Sequence, residues 1–341
     1  MGRDLTIYPA RARKSELKKH IESLGFLKAN HLWEWPKGTI HYYWFELEDF
    51  KSIDGVEVDI YPVSESEKQE NKVRSDWAIH VRNRYSASVY DVIKLNEVLK
   101  SVRKLFGGKI TGDYGVNTYA PIWDDHSTPL SRGICRVYSE VNQRLETLEY
   151  ALPDPMLVWN ESVDPNTKSL KIFNQHEPIR IVYNATIPFI VAAFEYFFSQ
   201  SFMILLKYDE AAALKREKHN QKILFEDVLQ ITKGLKTIEG VIAEGYSFQN
   251  IEKTIKAYKD WMGMDLNSVL FRKRRIGGRI EFLKDRMEEI VQSRHAIVHR
   301  FQLDRNIEKK DIEDMIKTLK HVINDAAIFF SKKYSFKLEE M

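Results

Sequence analysis

The chain has 341 residues, enough for two folded domains, and its 43% hydrophobic and 30% charged residues exclude an intrinsically disordered protein. Lys and Arg outnumber Asp and Glu by only 52 to 49, which excludes a general cationic attraction to nucleic acid. The single cysteine, Cys135, excludes an internal disulfide and any multi-cysteine metal site. The charged N-terminus lacks the apolar core of a secretion signal, so we expect a cytoplasmic protein.

Residues 1–120 are predicted to form an α+β domain, a candidate sensor or regulatory domain. Alternating and helical periodicities predict its elements: helix 15–24, strands 41–47, 56–61 and 77–81 as antiparallel neighbours, and helix 89–106. Its aromatic residues are interpreted as core and sheet packing, with a base-stacking platform as the alternative: Trp33, Trp35, Tyr42, Tyr43 and Trp44. The segment Gly112-Asp113-Tyr114-Gly115 is either a ligand loop or a tight turn.

Residues 121–178 are predicted to be a linker, because six prolines lie there between polar and acidic residues. One helix interrupts it. Ile134, Val137, Val141 and Leu145 recur every three to four residues, which predicts a bridging helix over 132–150.

Residues 179–341 are predicted to form an all-α bundle, since each segment has an apolar stripe and the connections are short. The predicted helices cover 187–216, 221–241, 249–262, 278–301 and 308–334, the last with Asn306 as its N-cap. The stretch 187–206 is long enough to cross a bilayer. Because Glu195 lies near its middle, we interpret it as a buried core helix and expect no membrane contact.

The segment Ile290–Phe301, IVQSRHAIVHRF, holds the strongest candidates for chemistry. Arg294 and His299 are separated on a helix by about 140° around the axis and about 7.5 Å along it, a gap that a long arginine can span. Guanidinium binds phosphate through paired charge-assisted hydrogen bonds, and imidazole exchanges protons near neutral pH. The pair therefore favours phosphodiester chemistry.

This segment resembles the HEPN superfamily, whose signature is an arginine followed four to six residues later by a histidine on a late helix of a bundle. The resemblance covers about residues 180–335 and rests on Arg294-His295-Ala296-Ile297-Val298-His299. It implies metal-independent RNA cleavage by attack of the 2′-hydroxyl, without a cofactor, at a site completed by a homodimer. Arg294 then neutralises charge on the phosphate, and His299 moves a proton.

Two further residues are weaker candidates. Many relatives have Asn or Asp where this chain has His295, so His295 either orients Arg294 or shares in the chemistry. Glu195 is a candidate because an acidic residue on an early helix approaches the arginine in several relatives. His295 and His299 also have the spacing of two metal ligands, but the glutamate of the metalloprotease motif is replaced by Ala296, so no catalytic metal is predicted.

A cluster of basic residues just before this helix is a candidate RNA-backbone contact, with a solvated loop as the alternative. The candidate RNA-binding residues are Arg272, Lys273, Arg274, Arg275, Arg279 and, at the end of the motif, Arg300.

The resemblance implies a ribonuclease similar to bacterial toxins and antiphage defence effectors that act in abortive infection. Its partners would be RNA, a second copy of the chain, and a phage-derived trigger or an antitoxin. The alternative is a non-catalytic HEPN module for dimerisation or nucleotide binding.

Overall fold

The computed structural model describes residues 2–30, 35–154, 178–218 and 222–338. The chain divides into two compact units, Met1–Arg132 and Gly133–Glu340, and the division falls inside the predicted linker. A unit built on a sheet is followed by a mostly helical one, which is the predicted order of an α+β region and a helical region. Trp33 and linker residues 155–177 lie outside the described residues.

The first unit contains a six-stranded antiparallel sheet in the order β2-β3-β4-β5-β1-β6. Its strands are β1 Gly2–Tyr8, β2 Leu27–Ala29, β3 Ile40–Trp44, β4 Val56–Pro62, β5 Trp77–Arg84 and β6 Lys109–Gly112. The three predicted strands are confirmed as antiparallel neighbours, β3 to β5. The other three were not predicted. β2 and β6 are too short to show a periodicity, and β1 pairs with strands that are far away in sequence.

Helices α1 (Lys14–Ser23) and α3 (Val89–Phe106) cover one face of this sheet, and α2 (Glu65–Asn71) was not predicted. The core beneath α1 and α3 consists of alternate strand residues such as Leu5 and Val58, which are fully buried. α3 starts with a capping box at Ser88 and stops at Gly107, whose φ of 65° glycine adopts without strain.

The aromatic residues of this unit pack, as predicted, against the sheet. Tyr42 is 1% exposed, and Trp44 packs against Phe26 with ring centroids 6.5 Å apart. The segment after β6 is a tight turn, in which the Gly115 N–H donates to the Gly112 carbonyl at 2.9 Å. The base-stacking and ligand-loop alternatives therefore find no support in these contacts.

The second unit is a helical array with one β-hairpin. Helix α4 (Pro129–Tyr150) spans the predicted bridging helix, and the hairpin consists of β7 (Lys273–Ile276) and β8 (Arg279–Phe282). The remaining helices are α5 Ile179–Tyr208, α6 Glu210–Glu217, α7 Phe225–Thr232, α8 Ile238–Glu244, α9 Ile251–Met262, α10 Asn267–Leu270, α11 Leu283–Arg300 and α12 Lys309–Lys333.

Helix α5 supplies much of the core of this unit. Its Phe197 and Phe198 are at most 1% exposed and contact Phe330 of α12 and Tyr258 of α9, whose rings stack on each other at 5.6 Å. By length and composition alone α5 could cross a membrane, but 56% of its most apolar stretch is buried against other parts of the chain. This packing favours the core-helix interpretation.

Two predicted helices are each divided in two. The predicted helix 187–216 begins earlier, at Ile179, and breaks at Asp209, where an extended backbone lets the carboxylate accept a hydrogen bond from the Ala212 N–H at 2.7 Å and cap α6. The predicted helix 221–241 is split into α7 and α8 by Gly234, which has a φ of 70°. In both predicted helices, a local capping residue ends the helix although the apolar periodicity continues.

One further predicted helix start and one predicted N-cap are wrong. The helix predicted over 278–301 begins at Leu283, because Gly277 and Gly278 adopt φ values of 58° and 82° and form the two-residue turn of the hairpin. Asn306 is not the N-cap of α12. Glu308 is, since its backbone N–H donates to Asp311 in a capping box.

Candidate functional site

The motif, the segment from Arg294 to His299, lies on the last two turns of α11. Leu283, Met287 and Ile290 recur on one side of this helix and are at most 3% exposed, so they anchor it while the last turns reach solvent. The helix ends at Phe301, which has a φ of 51° and donates its N–H to the Ile297 carbonyl at 3.1 Å. Buried Asn184 of α5 holds the next loop through two hydrogen bonds to the Asp304 backbone, both 2.9 Å. The buried side chains on one side of α11 and the hydrogen bonds to the loop after it therefore hold the end of this helix in place.

Arg294 and His299 are brought together on this helix. Nη1 of Arg294 lies 3.4 Å from Nε2 of His299, and the contact is exposed to solvent. In the tautomer whose Nε2 is unprotonated, the guanidinium donates a weak hydrogen bond to the imidazole. A permanent cation and a proton-exchanging group therefore share one accessible surface, which is the combination that a phosphodiester requires.

His295 joins this surface. Its ring centroid lies 4.6 Å from that of His299, with the planes tilted by 45°, and both residues are exposed. Among the described residues, no group of three or more His, Cys, Asp or Glu side chains has the arrangement of a metal site.

Glu195 is not brought to Arg294. Its carboxylate accepts a hydrogen bond from Nε2 of Gln249 at 2.7 Å, in the segment before α9. Within the part of the chain that the structure describes, Glu195 forms no ion pair with an arginine or lysine. The side chain is half-buried in α5, and the hydrogen bond to Gln249 satisfies it there.

The basic residues before and at the end of α11 fall into two groups, those paired with a buried carboxylate and those exposed to solvent. Arg272, just before the hairpin, and Arg274 in β7 both pair with Asp325 of α12, at 3.2 and 2.7 Å, and Asp325 is 3% exposed. Lys273 lies over the Phe282 ring at 4.8 Å. Lys273, Arg275, Arg279 and Arg300 are exposed. A buried carboxylate needs counter-charges, so the first two arginines serve the fold.

Three features of this region were not predicted. Val298, inside the motif, is 49% exposed, and Phe301, just after it, is 84% exposed. Asp325 could have been found from the sequence, because it interrupts the apolar stripe of α12 and so must meet cations. A cleft of about 740 Å³ borders α11 along Ser293 and Ile297, but Arg294 and His299 do not line it.

Comparison of the chain with protein-family models, with curated proteins and with solved structures finds no match. The resemblance to the HEPN superfamily therefore rests on the Arg294 to His299 segment and the helices around it. The function of this surface has to be inferred from the chemistry of its side chains.

Proposed function

We propose that the helical unit is a metal-independent HEPN-type endoribonuclease. The observation that carries this proposal is the 3.4 Å contact between Arg294 and His299 on an exposed helix surface. The contact places a guanidinium and an imidazole nitrogen within reach of one phosphate group. The pair offers both the charge and the proton transfer that RNA cleavage needs.

In the proposed reaction the RNA 2′-oxygen attacks the adjacent phosphorus while the bond from phosphorus to the 5′-oxygen breaks. One imidazole takes the proton of the 2′-hydroxyl, and an acid returns a proton to the leaving 5′-oxygen. The products are a 2′,3′-cyclic phosphate and a 5′-hydroxyl. Arg294 binds the non-bridging oxygens, whose negative charge grows in the transition state. General acid–base catalysis of this kind contributes about 10²–10⁴-fold.

A homodimer supplies the second proton-transfer group. One imidazole cannot act as base and acid in the same step, and a two-fold axis near α11 would place two arginines and two histidines in one cleft. The exposed Val298, inside the motif, and Phe301, just after it, would be covered in such a dimer. The accessible Arg275, Arg279 and Arg300 are the proposed contacts to the RNA backbone.

The proposed biological role is that of a cytoplasmic toxin or antiphage effector. The first unit contains no comparable exposed Arg–His pair among its described residues, and its role in this proposal is to reduce RNA cleavage by the second unit without abolishing it. An antitoxin or a phage-derived trigger would act through it.

The test is cleavage of single-stranded RNA by the purified chain in excess EDTA. We expect cleavage that leaves 5′-hydroxyl ends, because the reaction uses only side chains. A double variant, Arg294→Ala with His299→Ala, purified in parallel, controls for contaminating nucleases. Strict dependence on a divalent ion would contradict the mechanism, and intact RNA under all conditions would leave the non-catalytic HEPN module as the function.

A further inference from the structure

His295 and His299 lie one helical turn apart, at positions i and i+4 of α11, and both are exposed. Residues at this spacing face the same side of a helix. The rings are close but not stacked, since their planes are tilted by 45° and their centroids lie 4.6 Å apart. The proposed reaction assigns proton transfer to His299 and leaves the role of His295 open.

The separation of the two rings matches that of two imidazoles bound to one metal ion. A Zn²⁺ ion binds imidazole nitrogen at about 2.0–2.1 Å, so it lies roughly 3.2 Å from each ring centroid. Two such ligands at an angle of 90–109° have centroids about 4.5–5.2 Å apart. The observed 4.6 Å falls inside this range.

We propose that His295 and His299 form a chelating site for Zn²⁺ that turns off the proposed ribonuclease. Two protein ligands leave two or more coordination positions to water, so the ion binds reversibly and a chelator removes it. The hard ion Mg²⁺, which prefers oxygen ligands, does not compete for this site.

Inhibition follows from the position of Arg294. Its Nη1 lies 3.4 Å from Nε2 of His299. An ion bound at that nitrogen takes the lone pair that proton transfer requires, and its charge repels the guanidinium from the surface. This regulatory half of the inference rests on the proposed function, whereas metal binding does not.

Three other histidines in the part of the chain that the structure describes are less suited to Zn²⁺. His41 and His80 of the first unit are already bonded to Asp59, at 2.6 and 3.4 Å, and are mostly buried. His126 is exposed but has no second histidine one turn away. His126→Ala is therefore a matched control for the loss of a surface imidazole.

The first measurement is calorimetric titration of the full chain with Zn²⁺ at pH 7.5, because only unprotonated imidazole coordinates a metal. We expect His295→Ala and His299→Ala each to weaken binding at least tenfold and His126→Ala to leave it unchanged. Arg294→Ala should bind Zn²⁺ more tightly, since it removes a cation next to the site. Unchanged binding in both motif histidine variants would overturn the site.

The second measurement is RNA cleavage by the wild-type chain with Zn²⁺, with Mg²⁺ and after addition of EDTA. We expect Zn²⁺ at the concentration that saturates the calorimetric site to reduce cleavage at least tenfold, EDTA to restore it, and Mg²⁺ to have no effect. Full cleavage at saturating Zn²⁺ would refute the regulatory half. Expected Zn²⁺ binding without any RNA cleavage in EDTA would refute the proposed function and leave the metal site standing.

Discussion

At the scale of single residues, the motif side chains contribute little to packing. Arg294 is half-buried and His299 is exposed, and each lies outside the apolar side of α11. Truncating them opens no apolar cavity. We expect Arg294→Ala and His299→Ala each to reduce RNA cleavage by at least about 100-fold and to change the free energy of unfolding by about 0.5 kcal/mol or less.

The measurement pairs a cleavage assay with chemical denaturation of the same preparations. The variant His295→Ala, assayed in the same way, tests the role of His295. A smaller loss of cleavage means that His295 orients Arg294, and a comparable loss means that it shares in proton transfer. Wild-type cleavage by both of the first two variants would remove the site assignment.

The first unit contains a second polar arrangement, at His80 of β5. This side chain lies 3.2 Å from Asp4 and 3.4 Å from Asp59. Burial by itself lowers the pKa of His80, but hydrogen bonds and attraction to the two carboxylates outweigh it and raise the pKa to about 9. The hydrogen bond from His80 in turn lowers the pKa of Asp4.

A histidine whose pKa is raised by folding stabilises the folded state as long as the histidine is protonated in that state. This contribution is complete below the unfolded pKa of about 6.5 and is lost as pH rises through the folded pKa. We therefore expect the free energy of unfolding to fall by up to about 3 kcal/mol between pH 6.5 and 9.5. The pKa itself can be measured by NMR titration of the His80 ring, and Asp4→Asn should lower it. An unchanged His80 pKa in Asp4→Asn would contradict this explanation.

At the scale of elements, the basic residues in and next to the β7–β8 hairpin have two different roles. Arg272 and Arg274 neutralise the buried Asp325, and Arg275 and Arg279 face solvent. We expect Arg274→Ala to lower the free energy of unfolding by about 1–3 kcal/mol, because a buried carboxylate loses a hydrogen-bonded partner. Arg275→Ala should leave stability unchanged.

Binding to single-stranded RNA should show the reverse pattern. Removing one phosphate contact lowers the slope of log K against log salt by about 0.7. We expect this change for Arg275→Ala and Arg279→Ala in salt-dependent binding assays with a cleavage-deficient chain. If Arg274→Ala changed the slope and these two variants did not, the assignment of the two arginine classes would be reversed.

At the scale of the whole molecule, the proposal gives the two units different tasks. The first unit is expected to restrain the second, so deletion of residues 1–128, which leaves α4 intact, should increase RNA cleavage and toxicity to the host cell. Both are measured against the full chain, with the same deletion carrying His299→Ala as the inactive control. Cleavage and toxicity equal to those of the full chain would show that the first unit does not regulate this activity.

The sequence by itself determined the elements with long, regular periodicity and strong end signals. Helix α3 was predicted with its observed ends because its apolar spacing runs up to Gly107, and the last turns of α11, which carry Arg294 and His299, were predicted to be helical. These features depend on neighbours within one or two turns, which a sequence shows directly.

Only the tertiary structure decided what depends on residues far apart in the chain. β1 is recognisable through its pairing with β5 and β6, and the roles of Arg272 and Arg274 depend on Asp325, about 50 residues away. Glu195 was assigned to the site because several relatives have an acidic residue on an early helix near the arginine, but that analogy does not fix which residue of the helix it is. In the structure Glu195 accepts a hydrogen bond from Gln249 instead. Long-range contacts fix which charges are buried and paired, because the cost of burying a charge depends on what surrounds it in space and not in sequence.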